Sequence, residues 1–160
     1  MRQTGHLLPL VAILFAGCAS VPTADLNADY PEERAQIQRV LSEVFEAAER
    51  KDLDRLDGYH FYGPKFTKFA GEKPARQDAT AARWGEHEGL ESIHDLSMRA
   101  DDLKVDVFGE VGVATFVLDY RFKSGTDNVE KKARATMVFV KERGAWKIVH
   151  EHFSVIKSSP

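Results

Sequence analysis

From Ser92 to Ile156 the hydrophobic pattern keeps a period of two, and this stretch constrains the fold more than any other part of the chain. Leu96 and Met98 alternate with polar residues. Leu103, Val105 and Val107 do so on the opposite parity, which predicts a bulge near Ala100–Asp102. Phe108-Gly109-Glu110 turns into a long strand over Val111 to Phe122, and Lys123 to Asn128 reads as a polar loop. Val129 to Lys141 is a further strand, Glu142-Arg143-Gly144 turns again, and the last strand runs from Ala145 to Ile156. Strands joined by such short connections pair antiparallel. A sheet with an apolar face needs a cover, and the cover has to come from the residues ahead of it.

Those residues carry helical signals. Pro31 suits a first helical turn, and Glu32 and Glu33 follow where the helix dipole favours acidic groups. Ile37, Val40, Leu41, Val44, Phe45 and Ala48 form one apolar stripe, which predicts a helix from about Glu32 to Arg50. Asp52 can cap a second helix through Leu53 and Leu56, ended by Gly58. The aromatic run Tyr59-His60-Phe61-Tyr62-Gly63-Pro64-Lys65-Phe66, with Phe69, reads as short extended pieces and turns. Asp78 can cap a third helix through Ala82 and Trp84 towards Leu90. The order is helices, then an antiparallel meander: an α+β domain with helices on one sheet face.

The N-terminus carries an address. Arg2 precedes a ten-residue apolar run, Leu7 to Ala16, then Gly17 and Cys18. The run is shorter than the roughly 20 residues a spanning helix needs and matches the core of a signal peptide. Ala16-Gly17-Cys18 resembles a bacterial lipobox, with Phe15 where that signal usually has leucine. The resemblance implies that residues 1–17 are removed, that Cys18 is acylated, and that residues 18–30 tether the domain to a membrane. Cys18 is the single cysteine, so no disulfide forms within one chain. Ala19 and Ser20 follow it, with no Asp, and the same resemblance places the protein at the outer membrane, facing the periplasm. The formal charge of −3 gives no basic surplus for a nucleic-acid partner.

The closing run Arg143-Gly144-Ala145-Trp146-Lys147-Ile148-Val149-His150-Glu151-His152-Phe153-Ser154, preceded by Arg134-x-Thr136-x-Val138, resembles the SnoaL-like branch of the nuclear-transport-factor-two-like superfamily. There Trp146, His150, His152 and Ser154 match the closing-strand motif. The resemblance covers about Glu32 to Ile156, so the domain is taken as residues 31–157 with 158–160 as a tail. It implies a cone-shaped, curved antiparallel sheet wrapped around three N-terminal helices, a pocket inside the cone, and homodimers formed through the sheet. It does not select a function.

Several residues are candidates for chemistry. Tyr59, His60, Tyr62 and Trp84 supply aromatic surface where this fold places the pocket mouth; the alternative is core packing under the third helix. Met137, Glu151 and Phe153 are candidates on the strands. Regular alternation puts His150 and His152 on one face with Trp146, Ile148 and Ser154, and puts Glu151 on the other with Val149 and Phe153. Two imidazoles at this spacing need a third metal ligand such as His94, and the spacing supplies no further set, so no metal is expected. If the face carrying Glu151 is concave, burial raises its pKa and suits it to acid–base work; if convex, Glu151 is solvated. Both faces are about half apolar, and alternation does not choose between them. Asp119 and Tyr120 are strand neighbours pointing to opposite faces, and Asp119 reads as a partner for Arg121 or Arg134.

No Gly-rich phosphate loop, Gly-x-Ser-x-Gly elbow or cofactor fingerprint occurs. Three readings remain. The domain binds a small apolar or aromatic molecule or a partner protein. Or it is a cofactor-free isomerase, cyclase or hydratase using His60, Asp119 or Glu151. Or it is a structural homodimeric module.

Overall fold

The structure, a computed structural model, describes residues 26–71 and 75–157. Cys18, residues 1–17 and the 158–160 tail lie outside them. Helix α1 spans Pro31–Glu49 and opens on its proline with Glu32 and Glu33 in the first turn. Helix α2 spans Leu53–Tyr59, where the Arg55 N–H donates to Asp52 Oδ1 at 3.2 Å. Helix α3 spans Ala79–Glu91, where the Ala81 N–H donates to Asp78 Oδ1 at 2.9 Å. Each cap satisfies a backbone donor that the first turn leaves without a partner.

Between α2 and α3 the aromatic stretch contains a strand, β1 (Thr67–Ala70). The meander follows as β2 (His94–Phe108), β3 (Val111–Ser124), β4 (Asp127–Glu142) and β5 (Ala145–Val155). The sheet order is β1-β5-β4-β3-β2. β1 runs parallel to β5, so the sheet is mixed where the sequence predicts only antiparallel pairs. The expected polar loop at 123–128 shrinks to a tight turn, because β3 and β4 stay paired out to Ser124 and Asp127. The β4–β5 turn has φ of 50° at Arg143 and 83° at Gly144, the paired positive values of a hairpin turn that follows strand twist.

Bulges bend this sheet. The one expected in β2 falls between Asp101 and Lys104, with Asp102 at φ 51°, and a second lies between His94 and Ser97. A third is decisive for the site. Val138 pairs with His150 but Phe139 pairs with Ile148, so Val149 is an extra residue in β5. Two residues then face one, and the inward parity reverses. Trp146 and Ile148 point inward before the bulge, and Glu151 points inward after it.

The concave face holds the core. Ile37, Leu41 and Phe45 of α1 pack with Phe116, Phe139 and Ile148 of the sheet, and Phe45 meets Phe116 edge-on at 6.0 Å. Gly112 of β3 lies directly under Ile37, close enough that a Cβ there would collide with Ile37 Cδ1. Trp146 Nε1 donates to Gln36 Oε1 at 3.1 Å, which fastens α1 to β5.

Candidate functional site

A recess of about 490 Å³ lies between α3 and the concave sheet. Its helix wall is made of small residues, Ala82, Gly85 and Gly89. Leu118, Tyr120, Phe122 and Phe153 form the sheet wall, with Leu90, Leu96 and Met98 completing the apolar lining. Gly89 is part of this lining, and a Cβ there would meet no atom within 4 Å. Lys68 and Glu86 are the charged residues of the lining.

Behind them sits a buried charged cluster. β1 and β5 pair with Lys68 opposite Glu151, which sets an ammonium beside a carboxylate on the inward face. Lys68 Nζ lies 2.8 Å from Glu151 Oε2, an ion pair poorly aligned for a hydrogen bond. It also donates to Glu86 Oε1 at 3.4 Å. Tyr62 donates its hydroxyl to Glu86 Oε2 at 3.0 Å. His60 enters from the end of α2, where the Phe61 N–H donates to the Ile148 carbonyl at 2.9 Å and holds the segment on β5. Its ring stacks on Tyr62 at 4.8 Å.

Both His60 nitrogens face acceptors: Nδ1 the Leu56 carbonyl at 3.0 Å, and Nε2 Glu151 Oε1 at 3.4 Å. An imidazolium satisfies both; a neutral ring satisfies one. Burial opposes that charge, but the bond to Glu151 and its carboxylate charge outweigh burial and raise the His60 pKa. Glu151 is 1% exposed. Burial opposes its ionisation too, yet the Lys68 ammonium and the His60 ring hold its carboxyl well below the usual carboxylate range. The Lys68 pKa is raised, since Glu151 and Glu86 overcome its desolvation, and burial followed by the Glu86 charge raises that of Tyr62. Two cations therefore face two anions, and the cluster is formally neutral.

The profile of the SnoaL-like domain matches residues 37–158. The chain belongs to the SnoaL-like family. A search of the curated proteins finds no match. Among solved structures, a Streptomyces avermitilis protein of the nuclear-transport-factor-two-like family, provisionally named a dehydratase, is 18% identical with a TM-score of 0.72, over 79% of this chain and 97% of that one. A nuclear-transport-factor-two-like protein from Salmonella enterica serovar Typhimurium is 13% identical with a TM-score of 0.69, over 79% and 93%. A Xanthomonas campestris protein, provisionally named a calcium/calmodulin-dependent kinase association domain, is 15% identical with a TM-score of 0.68, over 87% and 97%. At these identities the likeness establishes the fold.

In this SnoaL-like domain the residues singled out from sequence divide into several places. Glu151 and His60 join the buried cluster, and Phe153 lines the cavity. Tyr62 touches the cluster through Glu86. Tyr59 packs beside the core and its hydroxyl accepts from Arg55 Nε at 3.0 Å. Met137, 2% exposed, is a core residue rather than a cavity wall. Trp84 is 60% exposed on the outer side of α3, where it lines a second hollow of about 360 Å³ with Tyr62, Arg83 and His87, because the inner side is taken by Ala82 and Glu86. Asp119 lies off the cavity, paired with Lys132 at 3.1 Å and Arg99 at 3.3 Å rather than with Arg121 or Arg134.

The Val149 bulge also divides the closing-strand motif. Trp146 is buried inward, whereas His150 bonds the Thr67 hydroxyl at 2.8 Å and His152 is exposed. Both histidine rings lie near Phe69, at 6.5 and 6.1 Å. Ser154, half-buried, pairs in register with Arg134. The expectation that Trp146 shares a face with His150 and His152 fails because strict alternation ignores the inserted residue.

Lys68 and Glu86 were not singled out from sequence. A signal for Glu86 exists: Ala82, Glu86 and Leu90 share one helix face, and an acid interrupts an otherwise apolar stripe. Lys68 gives no local sign. His60, Glu86 and Glu151 place ligand atoms within 4.8 Å of one another, a set able to hold a metal ion. Lys68 Nζ already lies against both carboxylates, so a divalent ion would have to displace this ammonium.

Proposed function

We propose that this SnoaL-like domain binds one small, largely apolar or aromatic molecule in the recess between α3 and the sheet. The observation that carries this reading is the cavity itself: about 490 Å³, apolar-walled, with charged residues at one place only. Ligand sites are commonly hollows of about 300–1,000 Å³ with few polar groups that fix orientation. Gly85 and Gly89 support the reading: a glycine inside a helix, as at Gly85, costs roughly 1 kcal/mol relative to alanine, and both glycines keep their part of the helix wall of the recess free of side chains. The test is native mass spectrometry and thermal shift against a set of small aromatic and aliphatic compounds, comparing wild type with Gly89→Leu. Wild type is expected to retain at least one class, and the filled variant to lose it. Equal behaviour of the two proteins, or retention of no class, overturns the proposal.

The convergence of His60 and Lys68 on a buried Glu151 supports a second reading, a cofactor-free isomerase, cyclase or hydratase, with Glu86 as the cavity-facing acid or base. Turnover of a retained compound that falls in Glu86→Gln would favour it over binding alone. We also propose that Cys18 is acylated and anchors the domain to the outer membrane facing the periplasm. Fatty-acid labelling lost in Cys18→Ser is the expected result. The convex patch of Phe69, His150 and His152, together with the kinase-association relative, supports homodimers. A monomer in analytical ultracentrifugation at high micromolar concentration would count against that.

A further inference from the structure

The cluster at the cavity also restricts what head group a ligand can carry. An ammonium has three N–H donors. Among the described residues, Lys68 Nζ has two polar partners, Glu151 and Glu86. Its other neighbour is the ring of Phe153, 5.6 Å from the nitrogen and part of the cavity wall. One donor at the lining is therefore left without a polar partner. The acceptors at the lining are better matched. Glu86 takes Tyr62 on one oxygen and Lys68 on the other. Glu151 takes His60 on Oε1, and its Oε2, held against Lys68 by charge without a well-aligned hydrogen bond, lies behind the lining and out of a ligand's reach.

Charge completes the argument. With His60 as the imidazolium, Lys68 and His60 balance Glu86 and Glu151. A carboxylate or an ammonium on the ligand would bring an uncompensated charge into a largely apolar recess, and burying such a charge is costly. A neutral acceptor adds no charge and takes a charge-assisted hydrogen bond, stronger than an ordinary one. Resting on the binding reading above, we propose that the ligand is a neutral carbonyl compound whose oxygen accepts from Lys68 Nζ, and that Lys68 is the specificity-determining residue. Its apolar body lies along Leu118, Phe122 and Phe153.

Four naphthalenes of one shape test this by calorimetry on the full chain at pH 7.5: 2-acetylnaphthalene, 2-naphthoate, 2-(aminomethyl)naphthalene and 2-ethylnaphthalene. The ketone is expected to bind at least 10-fold more tightly than each of the others. If the carboxylate or the ammonium binds most tightly, or the ethyl compound equals the ketone, the head-group inference falls while the binding reading stands. If none of the four binds, the binding reading fails and this inference with it. Two variants locate the donor. Tyr120→Phe removes a second donor of the lining, the Tyr120 hydroxyl; whatever it does to overall affinity as a wall residue, the ketone-to-ethyl ratio is expected to persist, and the Ser92 hydroxyl of the lining is already committed to the Gly89 carbonyl. Lys68→Met is expected to bring that ratio to about one. A ratio that collapses in Tyr120→Phe overturns the assignment to Lys68, and this variant leaves the buried ion pairs intact.

Discussion

Replacing Lys68 by methionine removes the cation that keeps the Glu151 carboxylate ionised inside the domain, and its cost follows from the geometry. Lys68 Nζ sits 2.8 Å from Glu151 Oε2, and the Glu151 side chain is almost wholly enclosed. Removing one member of a buried pair strands the other charge, which costs about 3–5 kcal/mol. The stranded carboxylate then gains from taking a proton, directly or through a more firmly protonated His60 at 3.4 Å. The variant therefore binds more protons folded than unfolded, and its stability rises as pH falls. Each pH unit over which the difference is one full proton is worth about 1.4 kcal/mol. In wild type the Glu151 pKa is lowered, so its contribution is complete above the ordinary carboxylate value and is lost only as pH falls through the lowered one. Urea denaturation of both proteins at pH 8 and pH 5 reads the comparison. The expected gap is about 3–5 kcal/mol at pH 8 and smaller by at least ~1 kcal/mol at pH 5. A gap below about 1 kcal/mol, or one that widens on acidification, would refute the claim that Lys68 neutralises a buried anion.

Other consequences can be checked separately. The raised pKa of His60 means that its stabilising charge is complete below the ordinary imidazole value and is lost as pH rises through the folded one. Its ring resonances are expected to titrate above pH ~6.5, and a midpoint below that value contradicts the imidazolium assignment. Gly112→Ala forces a methyl against buried Ile37 and is expected to cost about 1–3 kcal/mol in urea denaturation without altering the cavity. Asp78→Ala removes the α3 cap and is expected to cost about 0.5–2 kcal/mol, with weaker ligand retention because α3 is the cavity wall. Asp119→Asn lies off the cavity and is expected to leave retention unchanged; a loss would place Asp119 in the site after all.

Much of the fold was legible because its determinants are local. The stripe Ile37–Leu41–Val44–Phe45 marks α1, and Asp52 and Asp78 mark the starts of α2 and α3. The parity change between Met98 and Leu103 marks the β2 bulge. Strand β1 escaped such reading, since four residues show no usable period and parallel pairing has no hairpin turn to announce it. The site was legible only in part. His60, Glu151 and Phe153 stood out by residue type, whereas Lys68 acquires its meaning only from the strand beside it.

The sequence by itself determined a set of helices, a meander after them and the turn positions, because period, caps and turn residues act over a few positions along the chain. The tertiary structure alone decided which face of β5 is concave. One inserted residue, Val149, reverses the parity, and an insertion is defined only against the partner strand β4. It alone brought His60 after α2 and Lys68 of β1 onto Glu151, and Glu86 of α3 onto Lys68. Buried charges that neutralise one another must meet in space, and nothing in their spacing along the chain records that they do.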